Sequence, residues 1–132
     1  MKITQAILDS LTEQAKASPR LRMNQDLRDS ETDGSQRMLN AIEPGSPLPI
    51  HRHRHSSETV VCLRGRLVEE FYDELERTCM EAIELSPNGP VVALNIPAGQ
   101  WHTARALESG TVILEMKNGK YEAIQDCDIL KM

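Results

Sequence analysis

The sequence predicts an all-β fold: a sandwich or barrel of short strands with a single short N-terminal helix. Three observations predict it. From residue 20 onward, short runs of alternating polar and apolar residues are separated by turn chemistry. Only residues 3–17 carry helical spacing, and they precede every strand, so the crossover helices of a parallel sheet are missing. The seven prolines and seven glycines lie largely between the runs, where antiparallel connections need them. At 132 residues the chain is expected to form one domain, with helix 1–18 packed on a β domain of residues 19–132.

The elements follow in order. Ile3, Ile7, Leu11 and Ala15 recur at four-residue spacing, and Ala6 and Leu8 widen that stripe. Pro19 stops the helix, because the residue before a proline resists helical angles. Residues 20–27 form a first strand, 29–35 a polar loop and 36–42 a second strand. On that second strand Met38, Asn40 and Ile42 share one face and Arg37, Leu39 and Ala41 the other. Three prolines and a glycine within 44–49 make a rigid connection. Residues 58–64 and 66–72 pair as a hairpin about Gly65, and 78–85 follows a charged turn. Residues 86–90, Ser-Pro-Asn-Gly-Pro, are a turn before the strand 91–96. Residues 111–117 and 120–124 flank Asn118-Gly119, a strong hairpin signal because both residues tolerate positive φ.

The chemistry gathers in two stretches. The first reads Gly45, five residues, His51, one residue, His53, four residues, Glu58, six residues, Gly65. In an extended strand His51 and His53 point the same way and can bite one ion. A polar break, Arg54 to Ser57, bends the chain so that Glu58 can return toward them. The second stretch is Pro97-Ala98-Gly99-Gln100-Trp101-His102, where a turn sets His102 at a strand start. Three imidazoles and a carboxylate suit iron, manganese, nickel, copper or zinc better than calcium or magnesium, which prefer oxygen. His55, two residues past His53, competes as a ligand. The opposing reading of HRHRH is a solvated basic strand.

The first stretch resembles the first motif of the cupin superfamily with every position filled, and Pro97-x-Gly99-x-x-His102 resembles the core of the second. Two positions depart from that pattern: Val91 stands where a glycine usually opens the second motif, and Ala106 where an asparagine usually closes it. The resemblance implies a jelly roll in which His51, His53, Glu58 and His102 bind one divalent transition metal, among them Fe, Mn, Ni or Zn. The layout, with its N-terminal helix, RLRMNQDL, QRMLNAI and HRH, is also similar to the WbuC family of cupin-fold metalloproteins. That family is associated with surface-polysaccharide gene clusters, which implies a sugar or sugar-derived acid as ligand.

Composition excludes other classes. A net charge of −5, with one Trp, two Tyr and one Phe, argues against a nucleic-acid partner. Three unpaired cysteines argue against a disulfide framework and for a reducing cytoplasm, and no stretch reads as a signal peptide or membrane span. Cys62 reads as a core residue, and Trp101 as facing away from His102. Arg37, Asn24 and Tyr121 are candidates to reach the ligand, an inward arginine being suited to an anion. Val60, Val61, Leu63 and Val112 to Leu114 are expected to line a shielded apolar cavity. A metal held by four protein ligands keeps two octahedral positions for a small molecule. The expected activity is a metal-dependent isomerase or epimerase, or a ferrous dioxygenase. Glu58 sets the chain apart from cupin thiol dioxygenases, which lack that glutamate. A non-catalytic metal- or sugar-binding module and a purely structural metal are the alternatives. A homodimer through sheet edges or the N-terminal helix completes the expectations.

Overall fold

The computed structural model describes all 132 residues. Eight strands follow one helix, α1 (Gln5–Ala17): β1 (Arg22–Asp26), β2 (Ser35–Ile42), β3 (Glu58–Arg64), β4 (Leu67–Tyr72), β5 (Cys79–Leu85), β6 (Ala93–Ile96), β7 (Trp101–Ala106) and β8 (Val112–Asn118). They build two antiparallel sheets, one in the order β1-β2-β8-β3-β6 and the other β5-β4-β7. The sheets face each other as a jelly roll. No helix is long and apolar enough to cross a membrane.

Strand alternation makes two separate cores. Between the sheets lie Ile42, Val60, Cys62, Leu67, Leu85, Ile96, Ala106 and Ile113. On the outer face of the larger sheet, Leu39, Ala41 and Val112 pack under Leu8, Leu11 and Ala15 of α1. The expected faces of β2 hold: Ile42 points between the sheets, while Leu39 and Ala41 meet the helix. Thr4 caps α1, its Oγ1 accepting from the Ile7 amide at 3.3 Å. The buried stripe differs from the expected one. It runs Leu8, Leu11, Thr12, Ala15, while Ile3 is 44% exposed and Ala6 faces solvent. Ile3 precedes the Thr4 cap and so lies outside the helix that the spacing predicts it to join.

Three further expectations are corrected. Strands β3 and β4 meet at the Gly65 turn but enter different sheets, so they do not pair as a hairpin; β3 pairs with β6 and β8, and β4 with β5 and β7. Residues 120–124 form no strand, and Asn118-Gly119 opens no hairpin. Strand β8 lies between β2 and β3 and has no free edge for a following strand to pair with. The chain instead runs through a 3₁₀ turn, Asp126–Asp128, and Leu130 donates its amide to the Ile50 carbonyl at 2.8 Å. The proposed apolar lining holds for two of its six residues. Val60 and Ile113 face the interior, but Leu63, Val112 and Leu114 pack toward the helix, and Val61 alternates with the inward Val60 and Cys62.

Register arranges the interior in levels. At the upper level Glu58 pairs with Lys117, and Phe71 with His102. One level down, Val60 pairs with Glu115 and Glu69 with Ala104. Below that, Asn40 and Cys62 flank Ile113. The apolar core closes the bottom, where Gly65 turns the chain at φ 82° against Thr111.

Candidate metal centre

The first histidine stretch is not a regular strand. His51 is held by one isolated two-way bridge, its amide donating to the His102 carbonyl at 2.9 Å and its carbonyl accepting the return bond at 2.8 Å. The motif loop is thereby fixed to β7 without belonging to its sheet. The C-terminal segment braces the other side. Ile129 bridges His51, and the Asp128 carboxylate accepts from Arg52 Nε at 3.0 Å and Arg54 Nε at 2.6 Å. These two arginines flank His53, so the tail grips the ligand segment on both sides. Gly99 donates to the His53 carbonyl at 2.8 Å, which ties the second motif to the first.

Three imidazoles converge. One ring nitrogen from each of His51, His53 and His102 lies within 4.8 Å of the others. His51 Nδ1 is 2.9 Å from the Pro49 carbonyl and His102 Nδ1 is 2.9 Å from the Gln100 carbonyl. A carbonyl only accepts, so Nδ1 carries the hydrogen in both rings and Nε2 keeps its lone pair. This is the outer-partner arrangement that orients a metal-binding histidine. Glu58 Oε2 lies 2.8 Å from His53 Nε2 and 3.9 Å from His102 Nε2. Metal–nitrogen bonds of about 2.0–2.1 Å put two ligands of one ion at most about 4.2 Å apart. The cluster therefore fits an ion after a contraction of about half an ångström.

Electrostatics support the same picture. Burial, reinforced by His102, lowers the His51 pKa to about 4, so the ring is a neutral donor at neutral pH. Burial lowers His102 as well. Burial alone would push the Glu58 carboxyl up. The hydrogen bond from His53 and the charges of His102, His53 and Lys117 outweigh it and hold Glu58 below the usual carboxylate range. A neutral His51 ring and an ionised Glu58 carboxylate are forms a divalent cation takes.

Other expected residues lie elsewhere. His55 is exposed and stands outside the cluster. Arg37 shares the outer face of β2 with Leu39 and Ala41, and Asp33 and Asp29 hold its guanidinium at 3.0 and 3.5 Å. It is therefore no anion receptor for the interior. Asn24 pairs in register with Asn40 on the edge strand β1 but is exposed. Tyr121 is 58% exposed and stacks under Arg28 at 5.8 Å, because the strand expected to carry it does not form. Trp101 does face away from His102, and Arg52 covers its ring at 4.4 Å. Cys62 is buried in the core.

Sequence reasoning passed over four inward groups. Lys117 Nζ is 3.2 Å from His53 Nδ1. Glu69 and Asn40 are 3% and 5% exposed, and Glu69 Oε2 and Asn40 Oδ1 have no hydrogen-bond partner. Glu115 completes the set, facing inward between Ile113 and Lys117. The signal was present: Asn40 interrupts an inward apolar face, and Glu115 breaks the run Val-Ile-Leu-Glu-Met.

Comparison with solved structures agrees on the fold. An oxalate oxidase in complex with the substrate analogue glycolate superposes with TM-score 0.65 at 16% identity, over 83% of this chain and 56% of that one. The present chain thus spans little more than half the oxalate oxidase. A cupin 2 domain-containing protein from Halorhodospira halophila aligns with TM-score 0.60 at 18% identity, over 79% and 68% of the two chains. TT1209 from Thermus thermophilus aligns with TM-score 0.60 at 24% identity, over 90% and 98%. The fold is the cupin jelly roll. No curated protein matches the sequence. A family model described as a domain of unknown function, DUF6016, matches residues 3–84, which hold α1, β1 to β4 and the first histidine motif, and the chain belongs to that family.

Proposed function

We propose that this protein is a metal-binding cupin whose His51, His53, Glu58 and His102 hold one divalent transition metal for a small oxygenated ligand. The observation that carries the reading is the convergence of three imidazoles, two of them with Nδ1 tied to a carbonyl, beside the Glu58 carboxylate. Iron, manganese, nickel or zinc fits a mixed nitrogen and oxygen set. When bound, the metal supplies Lewis acidity to an oxygen pair of the ligand. The chain's own residues orient that pair. The His51–His102 bridge fixes two imidazoles, and Lys117 lies against the third.

The ligand class we favour is a sugar or sugar-derived molecule of surface-polysaccharide metabolism, with isomerisation, epimerisation or ferrous dioxygenation as the reaction. The similarity of the layout to WbuC proteins supports it, as does a cytoplasmic setting for three free cysteines. A homodimer fits the exposed edge strand β5, with Met80 58% exposed. The stripe of α1 is already covered by β2 and β8, which leaves the sheet edges for a partner. Sedimentation showing only a 14.8 kDa species would remove the dimer.

Elemental analysis of protein purified without an affinity tag tests the core of the reading. One equivalent of transition metal is expected, and near zero in a folded variant carrying His51→Ala and His102→Ala. Full retention in that variant would overturn the ligand set. A second reading, a closed structural metal, is favoured by one feature: the ion would staple the His51–His102 bridge to β3. Water-proton relaxation of manganese-loaded protein separates the two, since only an open site enhances it.

A further inference from the structure

Among the three imidazoles, His53 differs in its outer partner. The Nδ1 atoms of His51 and His102 meet backbone carbonyls, which accept. The Nδ1 of His53 instead meets the Lys117 ammonium at 3.2 Å, and an ammonium only donates. Its Nε2 faces the Glu58 carboxylate at 2.8 Å. A neutral imidazole that binds a metal through Nε2 carries its hydrogen on Nδ1, where a carbonyl suits it and an ammonium does not. Lys117 is therefore not the partner that orients a metal-bound His53, and a metal at Nε2 takes away the acceptor that Nζ now has. Carboxylates hold the guanidiniums nearby: Asp128 binds Arg52 and Arg54, and Asp33 and Asp29 bind Arg37. Lys117 is the cation at the centre with no carboxylate partner.

Register and charge set what that ammonium can bind. Lys117 lies between Gln36 and Glu58 on the neighbouring strands, at the upper level of the interior. Glu58 is the carboxylate beside it, and the metal would take it. One carboxylate offsets half of a divalent charge, and Lys117 adds a further positive charge. The carboxyl one level down, Glu115, is pushed up to about 8 by burial and by the Glu58 charge, so it stays mostly protonated at neutral pH. A loaded centre is thus positive and half-buried, which favours an anion. Lys117 also lines a cavity of about 280 Å³ at the rim of β2, β8 and β3, with Gln36, Ser57, Thr59 and Asn118 and no carboxylate. It is the residue common to that cavity and to the imidazole cluster.

We infer that Lys117 is the anion partner of the ligand: its ammonium binds the carboxylate of a small hydroxy or keto acid whose adjacent oxygen meets the metal centre. This inference rests on the metal reading above and narrows its ligand from sugars and sugar acids to acids, sugar acids among them. Nζ touches one edge of the His53 ring and Nε2 is on the other, so one small acid reaches both. Lys117 is a specificity residue, since an uncharged sugar brings its ammonium no counter-charge.

The test uses manganese-loaded protein, with metal content measured before any ligand is added. Lactate, glycerate and gluconate are then titrated, each beside its uncharged amide, following water-proton relaxation and heat. At least one acid is expected to bind roughly tenfold more tightly than its amide, the worth of about one charge-assisted hydrogen bond. Lys117→Gln and Lys117→Met should keep one equivalent of manganese and bind acid and amide alike. Lys117→Arg, which keeps a cation, should retain the preference for the acid and serves where the neutral variants fail to fold; loss of the preference there counts against the inference. A role confined to orienting His53 predicts the reverse, weaker metal binding in the neutral variants with the preference for the acid intact, and that result would overturn the inference. So would an amide that binds as well as its acid in wild type, or a panel in which nothing binds. Failure of wild-type protein to take up metal shows before the ligand arms begin and overturns the metal reading itself.

Discussion

Glu115 shows how one residue sets a pH response. Burial, with the nearby Glu58 charge, pushes its pKa up to about 8 from an ordinary 4.5. The folded state therefore holds this proton over a range where the unfolded chain has released it. Its contribution to stability is fully present below pH 4.5 and is lost as pH rises toward 8. Glu115→Gln keeps the shape and cannot ionise. The metal-free variant should equal wild type near pH 4.5 and gain on it in melting temperature up to pH 8; a constant difference across that window would show that Glu115 does not carry the effect. Asp128 acts differently, through the residues beside a ligand. Its carboxylate binds Arg52 and Arg54 on either side of His53, and the hydrogen bond from Arg52, with that from Arg54, holds its pKa low. Asp128→Ala should weaken metal affinity roughly tenfold, as loss of an outer partner does, with the melting temperature of the metal-free protein little changed. Competition against a chelating dye measures it.

At the scale of elements, the site depends on pieces that are not strands. His51 has a single bridge to β7 and another to the tail, and the β3–β4 turn closes the barrel far below it. That turn is strict. Gly65 has φ 82°, and a Cβ there would lie 2.7 Å from the Thr111 Cα, which is backbone and cannot swing aside. Gly65→Ala combines left-handed strain with overpacking and should cost about 2–4 kcal/mol. Urea unfolding would show it, and a loss below about 0.5 kcal/mol would mean that the turn can rearrange. The glycine is thus a fold requirement, although it lies inside the motif that carries the ligands.

For the whole molecule, the proposed metal would link distant parts of the chain. His51 and His53 come from the first motif, Glu58 from the large sheet and His102 from the small one. An ion bound only by the folded state stabilises it by mass action, about 2.7 kcal/mol at a hundredfold excess over Kd. Wild-type protein should melt several degrees higher with the cognate metal, and the His51→Ala plus His102→Ala variant should show no shift. Equal shifts in both would place the metal elsewhere.

Local chemistry by itself determined the single helix, the strands that form and most of their boundaries to within a residue or two, and the gathering of His51, His53, Glu58 and His102. Alternation, turn residues and motif spacing are all short-range signals, and the tertiary structure kept them. What failed needed long-range knowledge. Asn118-Gly119 has hairpin chemistry, but only the sheet order reveals that β8 has no free edge. Arg37 was a fair candidate on a strand, yet the helix decides which face of β2 is outside. The stripe on α1 was blurred because Ile3 matches the spacing but lies before the Thr4 cap at which the helix starts. The buried polar groups were least legible. Glu69, Glu115 and Asn40 come from β4, β8 and β2, 75 positions apart from first to last (115 − 40). Only the closing of two sheets over one interior makes them neighbours, and a group's cost of burial does not exist until that interior forms.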